Sequence, residues 1–294
     1  MAHLTRSRYH ELTDVRAHRP EAVADAAAAR RRRPLLADSG RLMLVAADHP
    51  ARGALDVRGQ AGTMASRLDL LDRLCTALAR PGVDGVLATA DVVEDLLLLG
   101  ALEGKVVIGS MNRGGLAGAV FELDDRFTAY DPAGIAAARL DGGKMLCRID
   151  PSDPGTVATL QACGRAVTDL ARRGLMAMVE PFWCVRRDGQ VRTDLSPDMV
   201  IRSVHVAQGL GATSAYTWLK LPVVADMARV MDATTLPTLL LGGDPTGSPE
   251  STYETWRSAL HLPAVRGLVV GRALLYPPDD DVAAAVDTAV SLLA

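Results

Sequence analysis

Three lysines serve the whole chain of 294 residues, Lys105, Lys144 and Lys220, and the other 29 of its 32 basic residues are arginines. Ordinary surface charge is thus supplied by guanidinium, which raises the question of what an amine is kept for. Lys220 stands in "SAYTWLKLP" (214–222), close in sequence to Tyr216, Trp218 and Leu221. An amine attacks a carbonyl only when unprotonated, and apolar burial or a second cation lowers its pKa toward neutrality. A guanidinium stays protonated and forms no Schiff base. Lys144, in "KMLCRID", would supply the second cation. The alternative is a lysine with a buried stem whose ammonium pairs with a carboxylate.

Two carboxylates stand at comparable places. Glu180 ends the apolar run "LMAMVE" and either pairs with Lys144 or carries protons to and from a carbinolamine. Asp48, in "AADHPARG", either orients an amine or substrate hydroxyl or caps a loop. His49 and Arg52 follow it and are candidates to touch substrate, as is Trp218 beside Lys220. "LLLGGD" supplies Gly242 and Gly243, and "LVVGRALLYPP" supplies Gly271 and Arg272. Backbone N–H groups at glycines, with an arginine fork, suit a phosphate; tight turns alone would also want the glycines. "GSMNRGGLAG" (109–118) offers Asn112 and Arg113 for a substrate carboxylate or hydroxyl, or is simply a turn. Arg148 shares the face of Lys144 and Leu146. His205 falls mid-helix and reads as structural.

Elements able to bring these residues together are legible as short apolar runs alternating with amphipathic ones. Strands are expected at 42–48, 85–90, 106–110, 144–150, 175–181, 215–221, 238–243 and 267–272. They are nearly continuous apolar runs, as in parallel strands covered on both faces. Eight such strands with helices between them predict an α/β chain folded as a (β/α)8 barrel, whose active site lies at the strand C-termini. The competing doubly wound sheet would want GxGxxG after the first strand, which "AADHPARGAL" is not. Residues 1–40, with "EAVADAAAARRRR", are expected to form a helical extension ahead of a barrel over 41–294. Ser152, Ser196 and Ser248 are expected N-caps.

Composition narrows the partners. A formal charge of −3 argues against nucleic acid, and Arg30–Arg33 reads as a solvated helix end rather than a targeting patch. Cys75, Cys147, Cys163 and Cys184 lack metal-ligand spacing and read as reduced, buried residues. No metal or other cofactor is expected. No run reaches the ~18 apolar residues of a membrane span, and the N-terminus lacks a signal-peptide core. A cytoplasmic protein with no membrane partner is the expectation.

The order of "DH" on strand one, "K" on strand four, "E" on strand five, "LK-P" on strand six, "GG" on strand seven and "GR" on strand eight resembles class I Schiff-base aldolases. The resemblance covers about residues 40–275 and is nearest to the tagatose-bisphosphate, sulfofructose-phosphate and 2-deoxy-5-keto-gluconate 6-phosphate aldolases, and to proteins called deoxyribose-phosphate aldolases. It implies Lys220 as the imine lysine, Glu180 as proton shuttle, Lys144 as the tuning amine, and Gly242, Gly243, Gly271 and Arg272 as the phosphate site. It further implies a homo-oligomer acting on a phosphorylated sugar, with 2-deoxy-5-keto-gluconate 6-phosphate the preferred substrate and Arg113 or Arg148 meeting its carboxylate. A deoxyribose-phosphate aldolase would carry a lysine on strand seven, where "TLLLGG" has none. A barrel lyase or isomerase using Lys144 and Glu180 as acid and base, and a phosphosugar-binding protein without chemistry, are the rival readings.

Overall fold

A computed structural model describes residues 4–243 and 247–293 of the chain. Its strands are covered on both faces. In β1 (Leu42–Ala46), Leu42, Leu44 and Ala46 enter one cluster of buried side chains, while Met43 and Val45 enter another. The smaller cluster adds Leu87, Val106, Ile108, Met178, Trp218 and Leu239 and fills the interior of a barrel. The larger one lies between the strands and the surrounding helices.

Seven further strands complete that barrel: β2 (Gly85–Ala88), β3 (Val106–Ser110), β4 (Gly142–Ile149), β5 (Met176–Arg187), β7 (Thr217–Pro222), β8 (Thr238–Leu241) and β9 (Val265–Val270). Their order is β4-β3-β2-β1-β9-β8-β7-β5, every neighbour is parallel, and β4 pairs with β5 to close the ring. This is the (β/α)8 barrel expected from the alternating runs. The surrounding helices include α3 (Arg67–Leu78), α4 (Ala90–Leu98), α5 (Pro132–Ala137), α6 (Gly155–Ala171), α7 (Pro197–Gln208), α8 (Met227–Met231), α9 (Pro249–Leu260), α10 (Arg272–Leu275) and α11 (Val282–Ser291).

One strand was not foreseen. β6 (Gln190–Thr193) turns back antiparallel on the end of β5. Asp188 and Gly189 link them at φ 51° and 75°, as a two-residue hairpin turn with both central residues left-handed requires. The serine caps also need correction. Ser248 caps α9 by accepting from Ser251 N, and Ser196 stands at the start of α7 without a side-chain cap bond. Ser152 caps nothing: α6 starts after Pro154, and Ser152 instead donates to Asp150 through both its N–H and its hydroxyl.

Ahead of β1 lie α1 (Arg6–His18) and α2 (Ala22–Ala29), and the arginine run that follows is solvated only in part, at Arg31 and Arg32. Arg30 is 2% exposed and donates to the carbonyls of Lys105 and Arg139. Arg32 pairs with Asp141 and Arg33 with Asp84, the residues just before β4 and β2. Leu35 and Leu36 then pack on the interior cluster. The segment therefore closes the end of the barrel opposite the strand C-termini. All four cysteines are buried and free. Among the described residues no helix is long and apolar enough to cross a membrane.

Candidate active site

Alternation along the strands decides which side chains reach the mouth of the barrel. On β5, Met176 and Met178 fill the interior and Glu180 is next on the same face; on β7, Trp218 lies below Lys220. On β4 the inward series Gly142, Lys144, Leu146 puts an amine one layer under the mouth. Asp48 follows β1. Lys144 Nζ lies 2.5 Å from Glu180 Oε2 and 3.1 Å from Asp48 Oδ2, while Lys220 Nζ lies 2.6 Å from Glu180 Oε1. The chain Lys220–Glu180–Lys144–Asp48 is thus continuous. Asp48 Oδ2 also accepts from Ser110 Oγ at 3.0 Å and lies 2.7 Å from Arg113 Nη2, and Arg113 Nε donates to the same serine hydroxyl.

Burial opposes the charge on each acid, and the cations outweigh it. Glu180 is held down to about 2 by Lys144 and Lys220, and Asp48 well below the usual carboxylate range by Arg113, Lys144 and Lys220. Burial and then Arg113 bring Lys144 down to about 8, against the pull of both carboxylates. Glu180 therefore stays ionised at neutral pH, and the Lys144 proton is exchangeable close to it.

The same cavity, of about 160 Å³, is also lined by His49, Arg52, Gly242, Gly243, Gly271 and Arg272. Burial, with Arg272 and Lys220 nearby, lowers His49 to about 3, so its ring is neutral. Its buried Nδ1 makes no hydrogen bond among the described residues. Gly271 allows close approach of chain segments, since a Cβ there would stand 2.5 Å from the Ala46 carbonyl oxygen and 3.0 Å from His49 Cε1. Gly243 turns the chain out of β8 with φ +65°. Among the described residues no group of three or more His, Cys, Asp or Glu side chains is placed to hold a metal ion. Larger hollows of about 550 Å³ flank α1 and α2, away from this acid–base chain.

The family model described as Cgl0159-like matches residues 40–290. The chain belongs to the Cgl0159-like family. The crystal structure of Cgl0159 from Corynebacterium glutamicum (Brevibacterium flavum) is 53% identical, with a TM-score of 0.96 over 98% of this chain and 97% of that one. An archaeal fructose-1,6-bisphosphate aldolase, solved with its catalytic lysine covalently bound to the carbinolamine intermediate, is 16% identical with a TM-score of 0.63 over 92% and 99%. The fructose-bisphosphate aldolase from Slackia heliotrinireducens is 16% identical with a TM-score of 0.61 over 95% and 91%. At such identities the two aldolases share the barrel fold. Among curated proteins nothing matches the chain.

Three residues expected at the substrate lie elsewhere in this Cgl0159-like chain. Asn112 is fully buried and binds backbone, donating to the Leu146 and Asp125 carbonyls and accepting from Leu146 N. It pins the loop after β3 to β4. Arg148 binds Asp125 through two parallel bonds of 2.7 Å and also meets Glu122, so its guanidinium is fully engaged outside the cavity. Trp218 belongs to the interior cluster beneath Lys220. Nor do Tyr216 and Leu221 enclose Lys220: Tyr216 is 43% exposed, and Leu221 faces the helices. His205 is exposed on α7, where its Nδ1 lies 3.0 Å from Gln208 Nε2. Ser110 was missed, although it ends β3 at the mouth. Glu122 and Asp125 were missed because the loop after β3 has no periodicity to orient them.

Proposed function

We propose that this chain is a class I aldolase that cleaves a phosphorylated keto sugar or keto sugar acid through a Schiff base on Lys220. The observation that supports it is one carboxylate, Glu180, bridging two buried amines at 2.6 and 2.5 Å. Lys220 Nζ, having given up a proton, attacks the substrate ketone; the carbinolamine loses water to an iminium, which acts as electron sink. A base takes the proton from the hydroxyl on the carbon beyond the scissile bond, that carbon leaves as an aldehyde, and the bonding pair passes into an enamine. Protonation and hydrolysis then release dihydroxyacetone phosphate and the free lysine.

Within this reading Glu180 serves as the bridge by which a proton leaves Lys220, and Lys144, at about 8, stores it. Gly242, Gly243, Gly271 and Arg272 would hold the phosphate, as loops after the last two barrel strands commonly do. The archaeal aldolase of the same fold, with its lysine trapped as carbinolamine, lends support. The preferred substrate is 2-deoxy-5-keto-gluconate 6-phosphate, which would release malonate semialdehyde. A hexose bisphosphate, a sulfofructose phosphate and a deoxyribose phosphate are the alternatives.

A second reading is favoured by the tuning of Lys144 itself: with Glu180 it could move protons in a lyase or isomerase that forms no imine. Incubation with dihydroxyacetone phosphate followed by borohydride separates the two. An adduct mapped to Lys220 is the expected result; binding without any adduct would leave the acid–base reading standing and sink the aldolase.

A further inference from the structure

In the proposed cleavage the Lys220–Glu180–Lys144 chain serves the amine. Two further proton transfers fall on the substrate itself: one from the hydroxyl beyond the scissile bond, the other to the enamine carbon. The carboxylates are poorly placed for both. Glu180 holds the two lysines, and Asp48 Oδ2 accepts from Ser110 and Lys144 and lies against Arg113. Among the described residues no tyrosine lines the cavity, and the ring that β5 contributes is Phe182, which has no proton to give.

His49 is a ring that can titrate, and it lines the same cavity. It packs on Gly271, where a Cβ would stand 3.0 Å from its Cε1. Its buried Nδ1 has no hydrogen bond among the described residues and lies 3.9 Å from Asp48 Oδ1, the oxygen that Ser110, Lys144 and Arg113 leave. The negative field of that oxygen places the single proton of a neutral imidazole on Nδ1. The lone pair is then on Nε2, and the open part of the ring, 25% of the side chain, faces the cavity. Strand order gives the direction. In the closed ring β1 lies opposite β5, so His49 faces Glu180 across the mouth. A substrate held on Lys220 lies between the imidazole and the carboxylate that serves the amine. Burial and the facing cations Arg272, Lys220 and Arg113 hold the ring at about 3, with Asp48 pulling the other way. A phosphate dianion beside Arg272 offsets those cations, so substrate itself makes the ring a stronger base.

We propose that His49 is the catalytic residue at the scissile bond, its Nε2 taking the hydroxyl proton as the carbon–carbon bond breaks and handing it to the enamine carbon once the aldehyde has left. The assignment rests on the aldolase reading. As Nε2 takes the proton, the O–H pair forms the carbonyl of the aldehyde. The carbon–carbon pair becomes the enamine double bond, and the iminium pair returns to nitrogen. The imidazolium then protonates the enamine carbon, which restores a neutral ring and an iminium for water to hydrolyse.

The test uses the full chain and dihydroxyacetone phosphate alone, at saturating concentration in deuterium oxide. Two rates are compared: borohydride trapping on Lys220, which reports the imine, and uptake of deuterium at the hydroxymethyl carbon, which reports proton transfer at carbon. In His49→Gln and His49→Asn, whose amides fall near Nε2 and Nδ1 respectively, the adduct should still form while deuterium uptake falls by about 10²-fold or more. Two variants are used so that one that fails to fold leaves the other to decide. Trapping and exchange that fall in step would show that the ring only holds substrate, and would overturn the assignment. So would exchange that survives both substitutions, or an unaltered chain that is trapped yet takes up no deuterium. An unaltered chain that gives no adduct would sink the aldolase reading, and this assignment with it.

Discussion

Lys220 Nζ stands 2.6 Å from Glu180 Oε1, and the other oxygen of that carboxylate is occupied by Lys144. Neither amine is isolated. A proton leaving Lys220 has an acceptor in contact, and beyond it a second amine titrating near neutrality. Replacing Lys220 by arginine keeps the positive charge beside Glu180 but removes the nucleophile. Lys220→Arg is expected to abolish borohydride trapping and to lower turnover by about 10⁴-fold or more. Peptide mapping of the trapped protein, alongside thermal unfolding, distinguishes lost chemistry from lost fold.

Lys144 makes the pH dependence specific. Burial and Arg113 bring it to about 8, so raising the pH through that value frees the amine that stores the proton. The rate of imine trapping should therefore rise between about pH 7 and 9. In Lys144→Arg, which cannot deprotonate there, that limb should vanish and the rate should fall by about 10²–10⁴-fold. A limb near 8 that persists in the variant would assign it to another group.

The sequence disclosed this chain for a physical reason. A parallel strand buried on both faces reads as an apolar run, so a lone charged residue near its C-terminal end stands out, and strand alternation then points it inward. Glu180, Lys144 and Lys220 were legible in that way. The role of Arg148 was not, because its partners Asp125 and Glu122 come from a long loop without a repeat. Asn112 misled for the same reason: its side chain does the work of a missing backbone partner between that loop and β4. The hairpin strand β6 was hidden by its exposed, polar residues, although Asp188-Gly189 marked the turn. Arg30 was read as solvated because a run of arginines carries no trace of the aspartates it will meet.

Acid should destabilise the protein in two stages. His49 titrates at about 3 in the folded chain against an ordinary 6.5, so below 6.5 the unfolded chain takes up a proton that the folded one does not. Glu180, at about 2 against 4.5, does the same below 4.5, and Asp48 shifts in the same direction. In each case the unfolded state binds more protons, so stability falls as pH falls, by about 1.4 kcal/mol per pH unit for each unmatched proton. Urea unfolding at pH 7, 5.5 and 4 should show an onset near 6.5 and a steeper loss below 4.5. His49→Gln should remove the upper stage alone. Lys144 adds a contribution of the same sign at the other end, with stability rising from pH 8 toward 10.5 as its folded-state penalty is relieved.

The closure of the barrel's far end offers a control remote from the chemistry. Arg30 is 2% exposed, gives its guanidinium to the Lys105 and Arg139 carbonyls, and lies 3.7 Å from Asp141 Oδ2. Asp141 in turn accepts from Val107 N, on β3. Arg30→Ala would leave two carbonyls without their donor and open space beneath the interior cluster, while Arg32 still pairs with Asp141. The expected cost is about 3 kcal/mol, read as a lower urea midpoint. Lys220, at the opposite end, should still be trapped at a rate within about twofold of the unaltered chain, because distant sites couple weakly. If trapping fell in step with stability, the bottom segment and the site would form one cooperative unit, and the arginine run would be holding the strand ends that aim Lys144 and Glu180.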